Sequence, residues 1–218
     1  MAKLKAIPGY TQLFARAFPD EKDPVTSENW GKAIGAYERT LVTPSPFDAY
    51  LEGNERALTV EAQVGLREFM RLGCARCHNG AGVGGGIFQK FGLVEDYWKE
   101  TGSPKPDKGR FDVTNNDADL YVFKVPILRN VTRTAPYFHD GSVATLPEAV
   151  RIMAKVQLGR TLSETQVRQL VAFLDSLTGK IPETFATAVA LPPAAFAGHG
   201  TSESCHRSNG IRGGGRCE

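Results

Sequence analysis

The stretch Phe69-Met70-Arg71-Leu72-Gly73-Cys74-Ala75-Arg76-Cys77-His78-Asn79-Gly80 decides how this chain is read. Upstream of it, Val64, Leu66, Phe69 and Met70 recur at helical spacing after Thr59, so a helix runs toward Gly73 and stops there. Cys74-Ala75-Arg76-Cys77-His78 then has the form of a c-type haem attachment motif. Cysteines three residues apart on one turn can reach the two vinyl groups of a single porphyrin, and the histidine that follows falls beneath the iron as proximal ligand. A zinc site needs two further ligands at matching spacing, and none is paired that way. A dithiol redox pair needs a βαβ setting, which the pattern lacks.

Downstream, residues 79 to 118 are rich in Gly, Pro, Asp and Asn and read as mostly loop. A loop of that length in a compact domain needs something to fold around, and a haem would serve. Tyr121 to Val131 is apolar, broken by Pro126, and extended at best. Two helices follow. Thr145-Leu146-Pro147-Glu148 reads as a capping box ahead of an apolar stripe of Ala149, Ile152, Met153 and Val156. Ser163-Glu164-Thr165-Gln166 is a second box, ahead of Val167, Leu170, Val171, Leu174 and Leu177.

Two helices precede the motif. One carries Leu13, Phe14, Ala17 and Phe18; the other is capped by Thr26 or Ser27 and runs to about Leu41, with Trp30, Ile34 and Tyr37 on one face. The proline-punctuated stretch TPSPFDAYLEGN, residues 43–54, reads as a linker. The expected organisation is therefore all-α: residues 1–53 a helical segment, residues 54–183 a haem domain, and residues 184–218 a disordered tail.

With 218 residues and 41% hydrophobic content, the chain can bury a core without disulfide staples. A net charge of +2 makes no case for nucleic acid. No apolar run is long enough to span a bilayer, and MAKLKAIPGY is not a signal peptide, because Pro8 and Gly9 stand where an apolar core should be. The sixth position of the iron is open to Met153, which could equally be core, and to His139. Met70 lies on the same side as the motif and is poorly placed to cross. Arg129 is matched in reading as a propionate partner or as one half of a salt bridge. Tyr97 and Trp98 could lie near an electron path, but aromatic residues usually only pack. In the tail, Ser202-x-x-Cys205-His206 mimics the motif with its first cysteine replaced, and reads as chance.

The segments KAIGAYERTLVTPSPFDAYLEG, GCARCHNGAGVGGGIFQKFG, FKVPILRNVTRTAPYFHDGSVATLPEAVRIMAKVQLG and LVAFLDSLTG resemble the bacterial di-haem cytochrome c peroxidases. The resemblance runs from about residue 3 to residue 183. It implies an enzyme that reduces hydrogen peroxide to water with electrons from a small cytochrome c or cupredoxin, using a peroxidatic haem in one cytochrome c-like domain and an electron-entry haem in the other. This chain's motif matches the electron-entry haem. The resemblance makes Met153 the sixth ligand, gives the backbone oxygens of Thr134 and Pro136 to a calcium ion, and implies a periplasmic dimer. Residues 1–53 would be the end of the peroxidatic domain, and no second Cys-x-x-Cys-His precedes Cys74. One covalent haem c is expected here, with weak or no peroxidase turnover by this chain alone. The alternative is a mono-haem electron carrier.

Overall fold

The computed structural model describes residues 1–185. They divide into two units, residues 1–40 and the residues from Leu41 onward. In the first, α1 (Ala2–Lys5) leads into α2 (Pro8–Ala17), which Pro8 starts and whose Phe14 is buried. The third helix, α3 (Ser27–Glu38), is capped by Thr26, whose hydroxyl accepts from the Asn29 amide. It ends three residues short of Leu41, and its aligned Trp30, Ile34 and Tyr37 are 48%, 39% and 58% exposed, so the stripe is not this unit's core. Asn29 is buried instead, its amide donating to Glu21 at 2.7 Å and to the Pro24 carbonyl at 3.0 Å, which fixes the turn before the helix.

The second unit begins with α4 (Pro46–Leu51), and here the structure corrects the expected boundary. The stretch 43–54 is not a linker but part of the motif-carrying unit, which begins at Leu41. Phe47 sets its ring edge against Phe173 at 5.5 Å, and its amide donates to the Ser176 carbonyl at 3.1 Å. Prolines in this stretch start a helix rather than loosen the chain: Ser45 and Asp48 form a capping box and Pro46 takes the first helical position.

Then come α5 (Val60–Leu72), a two-stranded antiparallel ribbon of β1 (Phe88–Lys90) and β2 (Val122–Lys124), α6 (Tyr97–Thr101) and α7 (Phe111–Thr114) between the strands, and α8 (Leu146–Leu158) and α9 (Glu164–Asp175). Gln89 pairs with Phe123 in the ribbon. The region expected as loop therefore holds two short helices and a strand, elements too short to leave a periodic signal. The unit is otherwise helical, as expected.

Helices α5 and α9 pack closely through Gly65. A Cβ at that position would stand 1.9 Å from the Gln169 carbonyl oxygen, so the crossing tolerates only hydrogen there. Around the crossing lies one apolar cluster of Phe69, Val83, Val143, Ile152, Val156, Leu170, Phe173 and Leu177, among others. Met70 is 64% exposed and is not part of the α5 stripe; Ala62, Gly65 and Phe69 are. The Ser163–Gln166 box forms as expected. The Thr145 box does not: Thr145 makes no side-chain cap, and Glu148 leans toward Arg151 at 3.7 Å. Pro147 near the helix start removes an amide that a cap would otherwise serve. No described helix is long and apolar enough to cross a membrane.

Candidate haem site

Gly73 closes α5 in the left-handed region, at φ 99° and ψ 8°, which a glycine adopts without strain. The chain then tightens into a 3₁₀ turn over Cys74–Arg76, and the Cys77 and His78 amides both donate to the Cys74 carbonyl, at 3.2 Å and 3.0 Å. Such a turn stacks residues i and i+3, which brings Cys74 and Cys77 over one another. Both are free thiols and half-buried. Burial pushes the Cys74 thiol up to about 11.

His78 follows with its ring 6.4 Å from that of Phe69. Its Nδ1 is buried without a hydrogen-bond partner, the one such side-chain atom among the described residues. Burial pulls the imidazole pKa down, against the carbonyls of Pro126 and Val83, which stand close enough to favour a proton on the ring. Neither carbonyl makes a well-formed bond with Nδ1. Gly84 keeps this pocket narrow: at φ +126°, a Cβ on it would lie 2.2 Å from the Pro126 oxygen and 3.1 Å from His78 Nδ1. Nδ1 is enclosed on the Gly84–Pro126 side, which leaves Nε2 as the nitrogen for a metal. Two free thiols, a half-buried histidine directly after them and an apolar wall fit a covalently held haem.

Met153 lies on α8 between buried Ile152 and Ala154 and is itself half-buried. It is absent from the apolar cluster that Val150, Ile152 and Val156 join. His139 stacks on Phe123 at 4.4 Å, inside an aromatic group with Phe91 and Tyr97, and its Nε2 is 3.8 Å from Asp107 Oδ2. Tyr97 is fully buried in that group and exchanges hydrogen bonds with the Asp107 backbone, and Trp98 packs at its edge at 5.2 Å.

Arg129 is engaged by protein. Its Nη1 and Nη2 donate to Asp48 at 2.8 Å and 2.6 Å, and its Nε to the Ala81 carbonyl at 2.5 Å. The salt bridge, one of its two expected roles, is present. Thr134 and Pro136 are exposed, and among the described residues their carbonyls accept no backbone hydrogen bond. They are two oxygens where calcium takes six to eight, and no group of three His, Cys, Asp or Glu side chains gathers anywhere in the described residues. These residues alone do not make a calcium site. Cys205, His206 and the rest of the tail lie outside the described residues.

The family model for di-haem cytochrome c peroxidase matches residues 1–56. A cytochrome c551 peroxidase of Pseudomonas aeruginosa is 50% identical over 182 residues, covering 82% of this chain and 52% of that protein. The chain belongs to the di-haem cytochrome c peroxidase family. A second cytochrome c551 peroxidase, from Nitrosomonas europaea, is 46% identical over 82% of this chain and 52% of its own length. The methylamine utilization protein MauG of Methylorubrum extorquens is 33% identical over 80% of this chain and 51% of its own length. A solved structure of a MauG-like protein associated with microbial copper homeostasis superposes with a TM-score of 0.62 at 29% identity, covering 82% of this chain and 61% of that one. The chain spans about half the length of the curated relatives it matches.

Gly84 and Asp48 were not singled out by sequence, and Pro126 only as a break in an extended stretch. The run Gly82-Val83-Gly84-Gly85-Gly86 was the available signal for the first, since glycines so dense mark close backbone approach.

Proposed function

We propose that this chain is the electron-entry haem part of a periplasmic di-haem cytochrome c peroxidase, passing electrons from a small cytochrome c or cupredoxin toward the centre that reduces hydrogen peroxide to water. The observation that carries the reading is the buried, unpartnered Nδ1 of His78 directly after the tight turn that joins Cys74 to Cys77. When bound, haem c supplies a one-electron iron couple. Cys74 and Cys77 would anchor the porphyrin through thioether bonds, and His78 would offer Nε2 to the iron while Nδ1 stays enclosed on the Gly84–Pro126 side. Phe69, whose ring lies 6.4 Å from that of His78, shields the imidazole on one side. Met153, half-buried yet outside the apolar cluster, is the sixth ligand in this reading. A thioether there holds the potential higher than a second histidine would, which suits a site that receives electrons.

A haem iron held by both His78 and Met153 would offer peroxide no binding site, so the purified chain is expected to turn over peroxide weakly or not at all. Peroxidase rates from this polypeptide equal to those of a full-length relative would overturn that assignment. Met153→Ala tests the ligand: the oxidised spectrum should lose its sulfur-to-iron band and the potential should drop, whereas an unchanged spectrum rules Met153 out. A mono-haem carrier is the second reading, favoured by the single Cys-x-x-Cys-His in the sequence. Electron exchange with an added full-length relative's peroxidatic half separates the two.

A further inference from the structure

We propose that Arg129 is a positioning residue for His78, acting through the Ala81 carbonyl and held in place by Asp48; the inference rests on reading His78 as the iron ligand. The connection can be followed atom by atom. Asp48 sits in the first turn of α4, where its Oδ2 accepts from the Ser45 amide at 2.8 Å and the Ser45 hydroxyl at 2.7 Å. That carboxylate grips the Arg129 guanidinium from both Nη1 and Nη2. The pair is well sheltered, with side chains 24% and 29% exposed. Nε, the donor at the base of the fork, is then aimed at Ala81.

Ala81 lies in the loop that wraps the His78 ring. The Val83 amide donates to Gly80 at 2.8 Å, the Gly84 amide to Asn79 at 2.8 Å, and the Leu128 amide to Val83 at 3.2 Å. Those bonds set the loop whose Val83 carbonyl, with that of Pro126, stands near the His78 imidazole. Arg129 itself is pinned by its successor. The Asn130 side chain donates to Thr43 Oγ1 at 2.9 Å and accepts from the Gly179 amide at 2.9 Å. Three stretches far apart in sequence, 43–48, 79–84 and 126–130, are therefore tied by one guanidinium. A lysine cannot replace it, because an ammonium offers no planar fork to grip a carboxylate with two nitrogens while a third reaches a carbonyl. Releasing Arg129 frees Ala81, lets the 79–84 loop shift, and lets the imidazole plane turn about its bond to iron. The orientation of that plane shapes the electronic state of the site that receives the electron.

The test uses the haem-loaded chain, with haem per chain measured first. Arg129→Lys and Asp48→Asn are compared with Arg168→Gln, which removes an equally short but exposed pair with Glu61 on the distant α5–α9 surface. Two quantities are read: hydrogen exchange at the Gly84 and Leu128 amides, and the pattern of haem methyl resonances in the oxidised protein, which reports the imidazole plane. Loss of a hydrogen-bonded charge should speed exchange at both amides by about tenfold or more. The methyl pattern should change in Arg129→Lys and Asp48→Asn and stay as in the parent in Arg168→Gln. The double variant should be no worse than either single one, since both remove the same clamp. An Arg129→Lys protein with parental exchange and methyl pattern overturns the proposal, as does an equal change in Arg168→Gln. If Arg129→Lys does not fold, Asp48→Asn decides alone. If the parent carries no haem, the haem reading fails separately, and parental exchange rates in the two variants of the haem-free chain still overturn the clamp.

Discussion

Replacing Gly84 by alanine should damage haem capture more than it damages the fold. Two costs add. Gly84 sits at φ +126°, a region closed to residues with a Cβ, and forcing one there costs about 1–3 kcal/mol. The new methyl would also stand 2.2 Å from the Pro126 oxygen and 3.1 Å from His78 Nδ1. The carbonyl must retreat by about 1 Å, an overpacking cost of about 1–3 kcal/mol. The sum, about 2–6 kcal/mol, is a large share of the 5–15 kcal/mol by which a domain is typically stable. The displaced carbonyl is also the one beside His78 Nδ1. Gly80→Ala isolates the clash: its φ is +75°, yet nothing lies within 4 Å of the added methyl. The assay pairs urea unfolding with haem per chain from the alkaline pyridine haemochrome spectrum. Gly84→Ala should unfold at markedly lower urea and carry well under half the parental haem, while Gly80→Ala loses about 1–2 kcal/mol and keeps its haem. Parental stability and full haem in Gly84→Ala would refute the packing argument around His78.

Gly65→Ala drives a methyl into the Gln169 backbone and should cost about 3 kcal/mol or abolish folding, read as a shift in the urea midpoint. Phe173→Ala removes a ring that is 1% exposed and contacts both Phe47 and Phe69, and should cost about 3–5 kcal/mol by the same measurement. The Arg129 guanidinium, helped by the Ser45 hydroxyl and amide, holds the Asp48 carboxyl far below the usual range. Because folding lowers this pKa, its stabilisation is complete above the ordinary value of about 4 and is lost as pH falls below it. The parent should therefore lose about 2 kcal/mol more than Asp48→Asn between pH 7 and pH 2, compared by urea midpoints, and equal losses would show that the pair contributes nothing.

The five longer helices were legible because each is written locally. Thr59 and Gly73 bracket α5, Ser163 opens α9, and Cys-x-x-Cys-His states its own chemistry. What escaped depends on residues far apart in sequence. The ribbon pairs Gln89 with Phe123, so neither strand alone is periodic enough to announce itself. The stretch 43–54 reads as a linker by its prolines, yet Phe47, Asp48 and Thr43 each meet partners more than 80 residues away, such as Arg129 and Asn130. For the same reason Arg129 read equally as a propionate partner, since nothing in its own neighbourhood names Asp48. Trp30, Ile34 and Tyr37 do share a helix face, but periodicity reports a face and not what covers it.

The most direct test of the account is the mass of the chain and of its Cys74–His78 peptide after export into a host that matures c-type cytochromes. The account predicts one haem per chain, attached to both Cys74 and Cys77, and none in a Cys74→Ser, Cys77→Ser variant. A cooperatively folded chain that emerges with free thiols at both positions, or with its haem attached elsewhere, would contradict it.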